Sequence, residues 1–306
     1  MRNPAAESAA RGVCVLALTL AALLSLPGCE AHIADGNSDV GREPVSYPEV
    51  AARYNERLID LARLQAPVSV VLESVKEDGS RSRDQLEGSL LIEVPRRVAL
   101  RLDKTGQNAA YLGSNDRLYW WMALAERPRW AAVGTHLQAE PDDAAEFGLP
   151  VHPLEFIELL GVLRLPESTP QGAEAVRTKD GRSLVLTLPS RWGVRRLTLD
   201  ADTYRPRRIE LLDASGEIVA SADLTRYVIV SVEGRPGAGA SVASNVSLAV
   251  PQGRSRIILV VSDPRAPLSL NSRAFNIVEL VKAYDIDKLY DLDRGERPGP
   301  IGKSGP

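Results

Sequence analysis

The sequence has 306 residues, enough for one large domain or two small ones at ~100–200 residues per domain. With 37 Lys and Arg against 40 Asp and Glu, 44% hydrophobic and 25% charged residues, its composition is ordinary for a globular chain and excludes wholesale disorder, collagen and coiled coil. The near-neutral balance gives no basic face for nucleic acid, and 2 Cys with 3 His leave little for a zinc site or a disulfide scaffold.

At the N-terminus, Val13 to Leu26 form an apolar run preceded by Arg2 and Arg11. A spanning helix takes about 20 residues, so this shorter run fits the h-region of a secretory signal. It leads into Leu26-Pro27-Gly28-Cys29, which resembles the bacterial lipoprotein lipobox, although Pro27 is an unusual occupant of its position. The resemblance implies cleavage before Cys29 and acylation of its thiol and amine, anchoring the chain with two or three acyl chains at ~0.8 kcal/mol per buried CH₂. A plain signal peptide with an incidental cysteine is the simpler alternative. Cys14 leaves with the signal, so the exported domain keeps no free thiol and rests on its core alone. These features assign 1–28 to a signal peptide and 29–46 to a flexible tether rich in Gly, Asp, Asn and Ser.

Ser46-Tyr47-Pro48-Glu49 has the form of a capping box. Val50, Tyr54, Leu58 and Leu61 follow at helical spacing and predict an amphipathic helix of about five turns ending before Pro67. The period then switches to two. Val68, Val70 and Leu72, then Leu90, Ile92 and Val94, then Val98, Leu100 and Leu102 alternate with more polar neighbours, and Arg117 to Met122 continues the series. Five or six short antiparallel strands are expected between residue 68 and about 133. Asp142-Asp143 opens a short acidic helix, and Pro153 to Arg164 forms a second that is apolar around most of its circumference. Strand character resumes near Ala173 and includes Leu184 to Leu188, Ile209 to Leu211, Val242 to Val250 and Ile257 to Val261. Ala274 to Tyr284 reads as a short closing helix, and the tail 293–306 reads as disordered. The expectation is one α+β domain over 47–292, mostly antiparallel β.

Gly88 to Leu102, with Pro95-Arg96-Arg97 between its strands, is similar to the strand–turn–strand element of the LolA/LolB-like lipoprotein carriers. Ser114 to Trp120 occupies the place of that family's following turn and aromatic strand. Leu197 to Asp200, Arg205-Pro206 and Ile209 to Gly216 resemble its later hairpin. The resemblance implies an unclosed half-barrel of about 11 strands whose concave face is covered by helices and encloses an apolar cavity for acyl chains. Leu100, Leu102, Trp120, Met122, Phe156, Ile157 and Leu160 are the lining residues it implies, with Cys29 as the acylation site. The soluble carrier of the family has no anchor and the anchored acceptor is shorter, so a sorting role does not follow directly.

Each candidate has a plainer reading. Trp120 and Trp121 point to opposite faces of their strand, and core packing explains either ring. A static core helix explains 153–164. Arg191, Arg195, Arg196, Arg205, Arg207 and Arg208 could meet anionic headgroups. With Asp200, Asp202 and Glu210 among them, a solvated mixed-charge sheet face is the better reading. No Gly-x-Ser-x-Gly, H-E-x-x-H or phosphate-loop motif occurs, so no catalytic residue, metal or cofactor is expected. The low aromatic share, 5% with 3 Phe, suits a container of aliphatic strands.

The leading expectation is a lipoprotein of the bacterial envelope, anchored to a membrane, facing the periplasm and binding a lipid or lipoprotein acyl chain. The alternative is an anchored, non-catalytic module whose sheet binds an envelope protein partner. A hydrolase would require His136 or His152 to converge with carboxylates in a cleft.

Overall fold

The computed structural model describes residues 43–75, 80–144, 151–235, 239–250 and 255–298. The chain divides into two units, 1–40 and 41–306, and the described residues all belong to the second. Cys29, the signal run and most of the tether lie outside them.

The strands, in chain order, are β1 Glu43–Pro44, β2 Arg63–Val75, β3 Arg81–Glu93, β4 Arg97–Lys104, β5 Gln107–Ser114, β6 Leu118–Ala123 and β7 Trp130–Thr135. They continue as β8 Glu174–Arg177, β9 Ser183–Pro189, β10 Gly193–Asp200, β11 Pro206–Asp213, β12 Ile218–Ile229 and β13 Ser231–Val232. The last four are β14 Ser241–Val250, β15 Ser255–Val261, β16 Arg265–Ala266 and β17 Lys288–Asp291. The helices are α1 Tyr47–Glu56, α2 Pro153–Leu159 and α3 Ile277–Ala283.

The long hairpin β2–β3 is the spine of the sheet, in register from Arg63↔Glu93 to Val75↔Arg81. From β3 the sheet runs through β4, β5, β6 and β7 to β17. From β2 it runs the other way through β15, β14, β12, β11, β10, β9 and β8 to β1. Every pairing along this path is antiparallel except β17 with β7. The described strands do not join β17 to β1, so the sheet is unclosed. β13 and β16 form a parallel pair attached beside β2. The fold class is the expected one, but the described residues form 17 strands, more than the 11 or so anticipated. Two-residue strands carry no alternation that a sequence pattern can register.

Alternation places Leu64, Ala66, Val68 and Val70 of β2, Leu86, Leu90 and Ile92 of β3, and Val98, Leu100 and Leu102 of β4 in one large core. That core is completed by Tyr47, Val50, Ala51 and Tyr54 of α1 and by Phe156, Ile157 and Leu159 of α2. We call this the inner face. On the opposite face of β4–β7, Ala99, Tyr111, Trp120, Met122 and Ala131 form a second core with Phe275, Ile277 and Leu280. β6 is therefore buried on both faces, which accounts for its continuous apolar run. The helices thus cover both faces, and α3 lies opposite α1 and α2.

α1 is shorter than the pattern of Val50, Tyr54, Leu58 and Leu61 suggests, ending at Glu56. Leu58 and Leu61 stay buried in the following turns, whose N–H groups bond Asn55 O and Leu58 O. From Arg63 onward the backbone is claimed by the ladder to β3, so the helical pattern cannot continue to Pro67. Pro67 lies inside β2, where its partner changes from β16 to β15 and its carbonyl accepts from Ser262 N–H. Its missing N–H costs nothing at that gap. Ser46 is the N-cap but makes no side-chain capping bond, so the capping-box pair is not formed. α2 also ends early, at Leu159, where Gly161 takes a left-handed φ of 66° and turns the chain away. Residues 293–298, assigned by sequence to the tail, are partly packed: Asp293 accepts from Thr135 N–H and Arg297 pairs with Asp143.

Candidate functional site

α2 packs on β4 and β5, with Phe156 and Ile157 3% and 0% exposed against the inner aliphatic strands. Full burial of such a side chain stabilises by ~1.5–3 kcal/mol. The loop after α2 is tied firmly to α1. Tyr54 Oη and an Arg57 guanidinium nitrogen both donate to the Gly161 carbonyl, and Arg57 also donates to Ser241 O. The Asn55 amide bonds both ways with the Leu165 backbone at 2.8 and 2.7 Å, and Tyr47 Oη donates to Pro166 O. Glu158 faces Arg195 of β10 at 3.8 Å.

The leading end of α2 is held differently. His152 is its N-cap, and Nδ1 accepts the Leu154 N–H at 3.2 Å. The ring is 1% exposed and lies 4.5 Å from the Tyr119 ring, 5.2 Å from Trp192 and 5.9 Å from His136. Tyr119 donates to Asp143 at 2.6 Å, and Asp143 also pairs with Arg297 at 2.6 Å and accepts from Glu140 N–H. Burial holds both imidazoles below the usual histidine range, His152 well below it, with Arg191 adding repulsion. Burial and the neighbouring Glu158 push the Glu155 carboxyl up to about 7. The α2 region therefore combines an aliphatic floor with a buried polar cluster at one end.

The seven residues expected to line an acyl site divide between the two cores. Leu100, Leu102, Phe156, Ile157 and Leu160 meet on the inner face beneath α2. Trp120 and Met122 lie on the other face, under α3. Period-two alternation made Trp120 and Trp121 point apart but could not say which face α2 would take. Tyr119 and Trp121 are the aromatic residues of β6 on the inner face, 5.4 Å apart edge to face. Gly113 pairs with Trp120 across β5–β6, and a Cβ there would meet the indole at 2.4 Å, so glycine lets the ring lie flat across the strand.

The arginine cluster of β10 and β11 is a mixed-charge surface. Arg196 and Arg208 pair with Glu210 at 3.5 and 2.9 Å, Arg208 reaches Asp223, and Arg207 bonds Asp200. Sequence reasoning missed the meeting of His136, His152, Tyr119 and Asp143, which come from separate segments. A histidine immediately before Pro153 at a helix start was the one local signal. The two rings do converge with a carboxylate nearby, but their described hydrogen bonds include no side-chain hydroxyl that could act as a nucleophile. Among the described residues no three metal-binding side chains gather, and no helix is long and apolar enough to cross a membrane.

No protein-family model matches the sequence, and no curated protein matches it. By structure the chain is similar to a DUF1329 family protein from Desulfovibrio piger, at 13% identity and a TM-score of 0.49, covering 78% of this chain and 99% of that one. It is also similar to a putative outer membrane lipoprotein-sorting protein domain from Vibrio parahaemolyticus, at 14% identity and a TM-score of 0.43, over 76% and 97% of the two chains. A LolA superfamily protein from Nitrosomonas europaea matches at 11% identity and a TM-score of 0.45, over 76% and 98%.

Proposed function

We propose that this chain binds the acyl chain of a lipid or lipoprotein on the inner face of its open sheet, beneath α2, without covalent chemistry. Anchoring through acylated Cys29 and a location facing the periplasm complete the proposal. The observation that carries it is the construction of α2. The seven-residue helix and its C-cap rest Phe156, Ile157 and Leu160 on an aliphatic sheet, with the trailing loop tied to α1 and the leading end held by a histidine cap packed on Tyr119 and Trp192. Its contacts with the sheet are of the same kind that methylene groups would make. An acyl chain entering beneath α2 exchanges one set of apolar contacts for another and gains ~0.8 kcal/mol for each CH₂ removed from water.

The test is native mass spectrometry and organic extraction of the mature protein, with competition against a fluorescent fatty acid. Co-purifying lipid, or displacement of the probe by unlabelled lipid, is expected. Absence of bound lipid together with absence of competition by any lipid would overturn the proposal.

A second reading has its own support. β17 pairs only with β7 among the described residues, leaving an open edge. Beside it a groove of about 450 Å³ is lined by Leu118, Val133, Val278, Val281 and Leu289, and Val278 and Leu289 are 62% and 57% exposed. An extended segment of an envelope protein adding to this edge would place apolar side chains there. Pull-down from envelope extracts that is lost in Leu289→Asp, with lipid binding absent, would favour this reading over the first.

A further inference from the structure

The two buried imidazoles carry a pattern that the acyl site does not use. His152 Nδ1 accepts a backbone N–H, so in the neutral ring the proton sits on Nε2. His136 Nε2 lies 2.8 Å from the Asn115 carbonyl oxygen, which can only accept, so Nε2 holds that ring's proton and Nδ1 is a bare acceptor. Both remaining atoms, His152 Nε2 and His136 Nδ1, are buried and have no hydrogen-bond partner among the described residues. One is a donor and the other an acceptor, on rings 5.9 Å apart.

Leaving such groups unsatisfied forfeits the hydrogen bonds they would make to water, and folded proteins carry few of them. The surrounding polar groups are already committed. The Tyr119 hydroxyl is given to Asp143, and Asp143 is shared with Arg297 and the Glu140 N–H. Trp121 and Trp192 close the cluster with ring faces and edges. Other charged groups near the pair are Arg191, whose guanidinium lies 5.0 Å over Trp192, Glu155 on the first turn of α2, and Arg96 and Asp116 on the His136 side.

An ionised carboxylate or an ester offers acceptors only and would leave His136 Nδ1 unanswered. A hydroxyl answers both atoms, accepting from His152 and donating to His136. We propose that His136 and His152 bind a hydroxyl group on the head of the lipid, with its acyl chain running beneath α2. This inference rests on the acyl-binding proposal above and names the class of ligand within it, a hydroxylated lipid of the acylglycerol kind. His152 caps the leading end of α2, so the movement that admits an acyl chain also opens the way to the imidazole pair.

The experiment compares a monoacylglycerol, the fatty acid methyl ester, the ionised fatty acid and the fatty amide, all of one chain length, on the mature protein. Two substitutions each remove one of the two orphaned atoms while preserving the local bond. His152→Asn keeps an oxygen for the Leu154 cap, and His136→Gln keeps an N–H for Asn115. The wild type is expected to bind monoacylglycerol about tenfold more tightly than the ester or the ionised acid. In His136→Gln that ratio falls to about one, because the bare acceptor that the ester and the acid leave unanswered is gone, whereas His152→Asn weakens all of the lipids together, because each accepts from His152 Nε2. Nitrogen NMR of the wild-type imidazoles gives an independent readout: monoacylglycerol shifts both His136 Nδ1 and His152 Nε2, and the ester leaves His136 Nδ1 unmoved. Binding of all four lipids with equal affinity, or no imidazole shift with the hydroxylated lipid, would overturn this inference and leave the acyl site standing. Preference for the amide over the hydroxyl would overturn the assignment of the head group. Binding of none of them would refute the acyl-site proposal, and this inference with it.

Discussion

Glu155 gives the α2 region a pH dependence of predictable sign. Its carboxyl lies on the first turn of the helix, near Glu158, the His152 backbone N–H and Arg191, and burial raises its pKa from 4.5 to about 7. Between those two values the folded chain binds more protons at this group than the unfolded chain. Stability therefore falls as pH rises through the window, and the loss is complete above about 7. A shift of that size corresponds to roughly 3 kcal/mol at ~1.4 kcal/mol per unit. The side chain is only partly buried, which reduces the figure to about 1–2 kcal/mol. Glu155→Gln removes the titration while keeping the volume. Urea unfolding of both proteins between about pH 5 and about pH 8 should give similar stabilities at the acid end and a variant more stable by about 1–2 kcal/mol at the alkaline end. Parallel curves across the whole range would refute the argument that this carboxyl is strained by burial.

The histidines act with opposite sign. Burial lowers His152 and His136 below 6.5, so the unfolded chain binds more protons below that value and stability is lost as pH falls through it. His152→Asn should flatten the acid limb of the stability curve, and an unchanged limb would count against the buried neutral ring. Ile157→Ala, at a side chain with no exposure, should cost roughly 2–4 kcal/mol in urea unfolding; a loss below about 1 would mean that α2 is not packed on the sheet. Gly134→Ala sets a Cβ 2.5 Å from Tyr119 Oη, and the forced movement should cost about 1–3 kcal/mol, read as a lowered unfolding midpoint. Asp143→Ala strips the partner from both Tyr119 and Arg297. Its expected loss is about 2–4 kcal/mol, and truncation after residue 292 should reproduce part of it by removing Arg297.

The strands from β2 to β7 were legible because one-sided burial writes period two into Val68 and Val70, Leu90 to Ile92 and Val98 to Leu102, although β2 begins at Arg63, where helix was expected. α3 was legible from Ala274 to Tyr284, although its first turn is a separate 3-10 segment at Ser272–Phe275. The helix lengths were not legible. Leu58, Leu61 and Val162 continue the apolar spacing of their helices and are buried, yet the backbone around them turns or joins a ladder. Two of the seven candidate residues, Trp120 and Met122, fall on the other face for a related reason. Alternation separates Trp120 from Trp121 but does not rank the faces, and both faces of β6 are covered. The imidazole pair was invisible because His136 follows β7 and His152 precedes α2. Only the sheet brings them to the same end of the inner face.

The central claim is that an acyl chain enters beneath α2 on the inner face. Hydrogen–deuterium exchange of the mature protein, with and without a saturating monoacylglycerol, tests it most directly. The account predicts that bound lipid changes the exchange of the α2 amides and of the inner strands β4 and β5, while α3 and its groove on the other face stay as they were. Saturable lipid binding that leaves α2 untouched, or that protects α3 instead, would contradict it.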